Sequence, residues 1–184
     1  MALLHIVIPA AGVGSRMNSD IPKQYISLAG RPVIERTLAV FAASHHIHSI
    51  VVALSPEDVY WDRFDIRLDE KTQVVRCGGA SRAETVLNAL RHLKSSVSLE
   101  DWILVHDAVR PGLTQEALTR LVTTLGEDPV GGILALPLAD TLKRAAGGQQ
   151  ILRTEPRDDL WQAQTPQMFR YGVLHEALLA CGNV

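Results

Sequence analysis

Short apolar runs alternate along the chain with stretches whose apolar residues recur every three or four positions, the signatures of strand and helix. Residues 3–9 read as a buried strand. Residues 32–46 read as a helix, with Pro32 in its first turn and Ile34, Leu38, Phe41 and Ala42 on one face. Residues 49–54 and 72–77 are a second and a third strand, the third less apolar. Residues 81–95 predict a helix whose inner face carries Ala83, Val86, Leu87, Leu90 and Leu93. A strand over 102–106 follows, then a helix over 114–125 that Gly126 ends, and a strand over 130–136. Residues 160–164 and 172–180 close the pattern as strand and helix. The order strand–helix–strand–helix implies an α/β fold, a parallel sheet with helices on both faces. Between 137 and 159 the pattern fails: the stretch is polar and carries Gly147-Gly148. It reads as a projecting hairpin with the glycines at its turn, and its Leu138, Leu142, Ile151 and Leu152 suggest packing against something.

With 184 residues, 47% hydrophobic and 21% charged, the chain suits a single domain that buries its own core. The net charge of −2 argues against nucleic acid or an anionic membrane as partner. No apolar run approaches the ~18 residues of a membrane span. Cys77 and Cys181 stand in no metal-ligand spacing, so a reducing cytoplasm is the expected setting.

In an open parallel sheet, ligands sit beyond the carboxyl ends of the strands. The first loop, Pro9-Ala10-Ala11-Gly12-Val13-Gly14-Ser15-Arg16-Met17, is built of small residues whose N–H groups can bind phosphate oxygens. Met17 stands where a dinucleotide fold has its third glycine, and Leu54-Ser55 where it has a ribose-binding acid, which disfavours an oxidoreductase. A P-loop Gly-Lys-Ser/Thr is absent. Arg16 and Lys23 instead suit a triphosphate undergoing substitution, where negative charge grows on the phosphorus oxygens and on pyrophosphate. Cys77-Gly78-Gly79-Ala80-Ser81-Arg82 either admits a base or ribose closely or is a tight turn capped by Ser81. Thr85, one turn on, is expected to face the same mouth. Asp107 ends the most apolar strand and reads either as a Mg²⁺ ligand or as the partner of Arg110 in a turn. The cost of a carboxylate at such a place favours the metal. Arg110 could hold a second anion. His45, His46 and His48 cluster at the opposite end of the sheet and read as cap or surface.

These segments, together with Pro22-Lys-Gln-Tyr25, Asp140-Thr141-x-Lys143 and Thr165-Pro-Gln167, closely resemble the 2-C-methyl-D-erythritol 4-phosphate cytidylyltransferase family, in order and over the whole chain. The resemblance implies a Rossmann-like, mostly parallel sheet with a β-arm. It implies transfer of CMP from CTP to methylerythritol phosphate, with Mg²⁺, in non-mevalonate isoprenoid biosynthesis. By position Arg16 and Lys23 match the pair that stabilises the α-phosphorus. Pro9, Ala10, Ala11, Gly12 and Gly14 match the CTP cradle, and Gly79, Arg82 and Thr85 the cytidine side. Asp107 matches the Mg²⁺ ligand. Arg110, Thr141 and Thr165 match the sugar-phosphate contacts. Residues 137–159 match an arm that clasps a second subunit in a homodimer, with Arg157 reaching into the partner's site.

Ala80 departs from members that carry an acid there. The family continues past position 184 with a Thr-Asp-Glu segment and an Asn-Ile-Lys-Val-Thr strand, so a chain ending at Val184 is expected to lack a strand and a substrate ligand and to turn over little or not at all. Two other readings are a ribitol 5-phosphate cytidylyltransferase, disfavoured by Pro-Ala-Ala-Gly in the first loop, and a non-catalytic nucleotide-binding module, disfavoured by Arg16, Lys23 and Asp107 occurring together.

Overall fold

The computed structural model describes residues 2–12 and 21–181. Six strands form the main sheet in the order β5-β4-β1-β6-β10-β7. β1 (Leu4–Pro9) pairs in parallel with β4 (Ser49–Ala53) on one side and β6 (Trp102–Val105) on the other. β5 (Thr72–Val75) extends the parallel set beyond β4. β1, β4 and β6 are nearly continuous apolar runs because both faces are covered, whereas β5, at the sheet edge, is half polar. Alternate residues of one strand enter opposite layers. Ile6 and Ile8 join the layer of α1 (Val33–Ala42) and α3 (Gln115–Leu125), where Ile34, Phe41 and Leu118 are fully buried. Val7 joins the layer of α2 (Arg82–Leu93) and α4 (Tyr171–Cys181), against Val86, Leu90 and Tyr171.

Three expectations from periodicity are corrected. The strand expected over 160–164 is the ten-residue β10 (Trp161–Arg170), antiparallel to both β6 and β7 (Gly131–Pro137). The chain returns from the arm alongside β7, so it must run opposite to it, and it occupies the slot beside β6 that an all-parallel order would give to β7. The first helix stops at Ala42, four residues short of His46, and begins after Pro32, which belongs to a two-residue strand β3 (Arg31–Pro32) paired with β2 (Ser27–Leu28). The inner face of α2 includes Thr85 and Ala89, whereas Ala83 is exposed.

The polar insertion is a hairpin. β8 (Leu142–Ala145) pairs with β9 (Ile151–Glu155) in a separate two-stranded sheet. Its turn uses two left-handed residues, Gly148 at φ 77° and Gln149 at φ 64°, and glycine takes that conformation without strain. Glu155 is shared by Arg144 and Arg153, and Lys143 Nζ donates to Thr154 Oγ1 at 2.7 Å.

Two buried histidines tie folding to pH. His5 is 2% exposed; its Nδ1 lies 2.7 Å from Ser49 Oγ and its Nε2 3.7 Å from Asp101. Burial holds its pKa below the ordinary 6.5, although Asp101 pulls the other way. Burial also lowers that of His106, which is 1% exposed. The unfolded chain therefore takes up these protons first as pH falls. Thermal midpoints followed by circular dichroism should be level above about pH 7 and drop as pH falls through about 6.5. A midpoint that rises on acidification to about pH 5.5 would contradict this.

Candidate active site

The strand order reverses between β1 and β6: the chain builds outward through β4 and β5, then crosses back to the other side of β1. The loops after β1 and β6 diverge there and leave a crevice. A cavity of about 570 Å³ occupies it. Pro9, Ala10, Ala11, Gly12, Lys23, Gly79, Arg82, Thr85, Asp107, Arg110 and Thr165 all line it. Gly14 and Arg16 lie outside the described residues. Thr141 and Arg157 sit on the arm and do not line the cavity; Arg157 donates to the Ala139 carbonyl. The described residues of the expected site thus line one cavity, apart from those on the arm.

The loop after β1 stays on the sheet for one residue more, because Ala10 N donates to Ala53 O at 2.8 Å. Beyond it, a Cβ on Gly12 would meet nothing within 4 Å among the described residues. Lys23 opens a short 3₁₀ turn, Lys23–Tyr25, whose Gln24 side chain is 2% exposed and donates to the Ala10 carbonyl at 3.0 Å.

The loop after β5 packs directly against the first. Gly78 N donates to Leu54 O at 2.8 Å, and a Cβ on Gly78 would lie 2.3 Å from Ala11 Cβ and 2.9 Å from Leu54 O. The capping reading of this segment holds. Ser81 caps α2 by accepting from Glu84 N at 3.1 Å, while Glu84 accepts from Ala80 N at 2.8 Å, a capping box displaced by one residue. The same loop presents Gly79, Ala80 and Arg82 to the cavity. Thr85 lines the cavity but is 2% exposed, and its hydroxyl is already engaged, accepting from Gly79 N at 3.0 Å and donating to Ser81 O at 2.9 Å. It shapes the loop from behind, where sequence reasoning expected it to face the mouth.

At the tip of β6, Asp107 is the one carboxylate lining the cavity among the described residues. It is held by two guanidinium groups: Arg82 to Oδ1 at 3.1 Å and Arg110 to Oδ2 at 3.0 Å. The turn ion pair that was one reading of Asp107 therefore exists, with a second arginine added. Such partly exposed pairs contribute little stability each, but they fix the direction of three side chains. Arg110 also reaches Gln164 Oε1 at 2.5 Å, and Arg82 reaches Gln167 Oε1 at 3.5 Å. Behind the loop, His106 Nε2 lies 3.0 Å from the Arg110 carbonyl. The carbonyl can only accept, so the ring is protonated at Nε2. Thr37 on α1 donates to Ala108 O at 3.0 Å.

Gln24, Thr37, His106, Gln164 and Gln167 were given no role from sequence, although Gln24 and Gln167 stand in segments that carry the family resemblance. The two glutamines reach the cavity because β10 shifts register between Ala163 and Gln167 opposite β7, an irregularity that Pro166 inside an otherwise strand-like run hints at. No cluster of three His, Cys, Asp or Glu is present among the described residues. The donor set is thus one hard carboxylate in a cavity that Lys23, Arg82 and Arg110 also line. That fits a divalent cation carried largely by phosphate oxygens and does not fit a cation held by protein alone.

The sequence profile of the 2-C-methyl-D-erythritol 4-phosphate cytidylyltransferases matches residues 4–183. The chain belongs to this family. A cytidylyltransferase of that description from Dechloromonas aromatica (strain RCB) is 54% identical over 181 residues, covering 98% of this chain and 79% of the relative. One from Laribacter hongkongensis (strain HLHK9) is 52% identical over 172 residues, covering 94% and 74%. Among solved structures, a 4-diphosphocytidyl-2C-methyl-D-erythritol synthase aligns at 43% identity with a TM-score of 0.85, covering 97% of this chain and 79% of that one. The Francisella tularensis 2-C-methyl-D-erythritol 4-phosphate cytidylyltransferase aligns at 32% identity and a TM-score of 0.84, covering 99% and 79%. The family's fold is thereby that of this chain.

The close contact of the first two loops yields a prediction. Gly78→Ala forces Ala11 and the Leu54 carbonyl away, at roughly 1–3 kcal/mol as for overpacking elsewhere. Nucleotide affinity, measured by isothermal titration with CTP, should fall together with the thermal midpoint. Unchanged affinity would show that the two loops do not form one surface for the ligand.

Proposed function

We propose that the chain catalyses the reaction of its family: transfer of CMP from CTP to 2-C-methyl-D-erythritol 4-phosphate, releasing pyrophosphate, in isoprenoid biosynthesis. One observation carries the reading at the level of the site. Lys23, the glycine-bearing loop after β1 and the Arg82–Asp107–Arg110 group line a single cavity at the sheet's switch point. A phosphate oxygen of the acceptor attacks the CTP α-phosphorus in line. The new P–O bond forms as the bond to the bridging oxygen of the β-phosphate breaks, and pyrophosphate leaves. No protein nucleophile is required. The protein's work is to align the two phosphates and to neutralise charge on the oxygens.

Residues 9–12 receive the triphosphate, and Lys23, with Arg16 as its proposed partner, faces the growing charge. Gly79 and Arg82 take the cytidine side, with Thr85 holding their loop. Arg110 and Thr165 take the acceptor phosphate. Asp107 is the protein ligand of Mg²⁺, which when bound draws charge off the phosphate oxygens. For Asp107 to serve it, Arg82 and Arg110 must release its carboxylate: the acceptor phosphate offers Arg110 a more highly charged partner, and Arg82 turns to the nucleotide. Lys23→Ala should lower kcat by roughly 10²–10³-fold, as loss of a transition-state charge contact does elsewhere. Asp107→Asn should raise the Mg²⁺ concentration at half-maximal rate. Both are read by pyrophosphate release from the full-length protein with CTP and methylerythritol phosphate, with ribitol 5-phosphate as the control acceptor. Equal rates with the two acceptors would overturn the substrate assignment, and an unchanged kcat in Lys23→Ala would overturn the role of that lysine.

The arm is assigned to a homodimer. It leaves Ile151 68% and Leu152 62% exposed in the single chain, with Trp161 at the start of β10 61% exposed, apolar area that a second copy can cover. Thr141 and Arg157 then act at or beside the partner's site. Light scattering should report a dimer that Ile151→Asp/Leu152→Asp converts to monomer; a dimer that survives both changes would contradict this. Among the described residues no helix is long and apolar enough to cross a membrane. A reducing cytoplasm is the setting proposed for an enzyme whose two cysteines are free.

A further inference from the structure

Lys23 stands on a turn with little structure of its own. The 3₁₀ segment has no side-chain cap, and its hydrogen bonds are Tyr25 N to Pro22 O at 2.9 Å and Ile26 N to Lys23 O at 3.3 Å. Short 3₁₀ turns hold their geometry poorly by themselves. The two residues that follow the lysine are buried. Gln24 is 2% exposed and Tyr25 1%. A buried amide needs its donors used, and Gln24 Nε2 meets the carbonyl of Ala10 at 3.0 Å. Ala10 is where β1 opens into the loop assigned to the triphosphate. Tyr25 stacks between Phe64, at 5.4 Å and 6° between ring planes, and Tyr60, at 5.8 Å and 26°. Its hydroxyl donates to Asp58 Oδ2 at 2.7 Å. Arg76, beyond β5, in turn holds the Asp58 carbonyl at 2.5 Å and Asp62 at 2.7 Å. The turn is therefore tied to the phosphate loop on one side and to a clip built from residues 58–64 on the other.

We propose that Gln24 is a positioning residue of the transfer reaction, with Tyr25 as its second anchor: the amide fixes the separation between the Ala10–Gly12 cradle and the ammonium of Lys23. The inference rests on the reading of Lys23 as the group that meets the developing charge. The geometry gives a lysine, whose flexible stem would otherwise wander, a base that moves only with the cradle. A displacement on the order of 1 Å at a reacting centre can cost about 10²-fold in rate. Binding of ground-state CTP, spread over many backbone contacts, depends on it much less. Gln24 should thus appear in kcat and barely in KM.

A double-mutant cycle separates positioning from simple support of the fold. In the full-length protein, Gln24→Leu should lower kcat about tenfold or more, with KM for CTP within about threefold. In the Lys23→Ala background the same change should cost under about threefold, because there is no ammonium left to misplace. Tyr25→Phe keeps the ring stack, loses the bond to Asp58, and should show the same pattern with a smaller loss. It also serves if Gln24→Leu does not fold. A Gln24→Leu loss of equal factor in both backgrounds, or a loss expressed in KM alone, overturns the proposal while leaving Lys23 in its role. Should Lys23→Ala keep its kcat, the reading of Lys23 fails first and this inference with it.

Discussion

Backbone groups that leave the sheet at the carboxyl ends of β1, β5 and β6 have no strand to pair with, and the site depends on what satisfies them. Buried and half-buried side chains do so from behind each loop. Gln24 takes the carbonyl of Ala10, Asn88 that of Cys77 at 2.9 Å, Thr85 the amide of Gly79, and Thr37 and His106 the carbonyls of Ala108 and Arg110. Leaving such groups unpaired costs about 1–3 kcal/mol each, so the loops have one favourable arrangement. Their outward faces are thereby left free for a ligand. Core and site are thus not separate problems: α1 and α2 pack the two sides of the sheet and also supply Thr37, Thr85 and Asn88.

Charge imposes the second constraint. Arg82 and Arg110 would repel one another and any cation if Asp107 did not lie between them. In the ligand-free molecule that carboxylate balances two guanidiniums. Under the proposed function, substrate takes over the guanidiniums and leaves Asp107 to a metal.

Much of this was legible in the sequence because it is local. The buried parallel strands appear as unbroken apolar runs, the helices as three- and four-residue periods, the glycine loops as small residues at strand ends, and the arm as a polar stretch with a glycine pair. What was not legible depends on distant partners. Nothing in residues 160–170 says that they slide between β6 and β7 and run backwards. The two-residue ribbon of Ser27–Leu28 with Arg31–Pro32 is too short to carry a period. Gln24 reads as an ordinary polar residue beside Lys23 until the fold brings the Ala10 carbonyl to it. Thr85 has the right spacing to face the mouth, yet its hydroxyl turns inward because Gly79 and Ser81 need it more than solvent does. Gln164 and Gln167 gain their places from a register shift that no spacing rule foretells.

The most direct test is a crystal structure of the protein with CTP and a divalent cation. It should show the triphosphate against residues 10–12 and Lys23, the cytosine beside Gly79 and Arg82, and Asp107 released from both arginines to the cation. The hydrogen bonds of Gln24, Thr37, Thr85 and His106 behind the loops should persist unchanged. A nucleotide bound away from the β1–β6 crevice, or bound only after those buried bonds break, would contradict it.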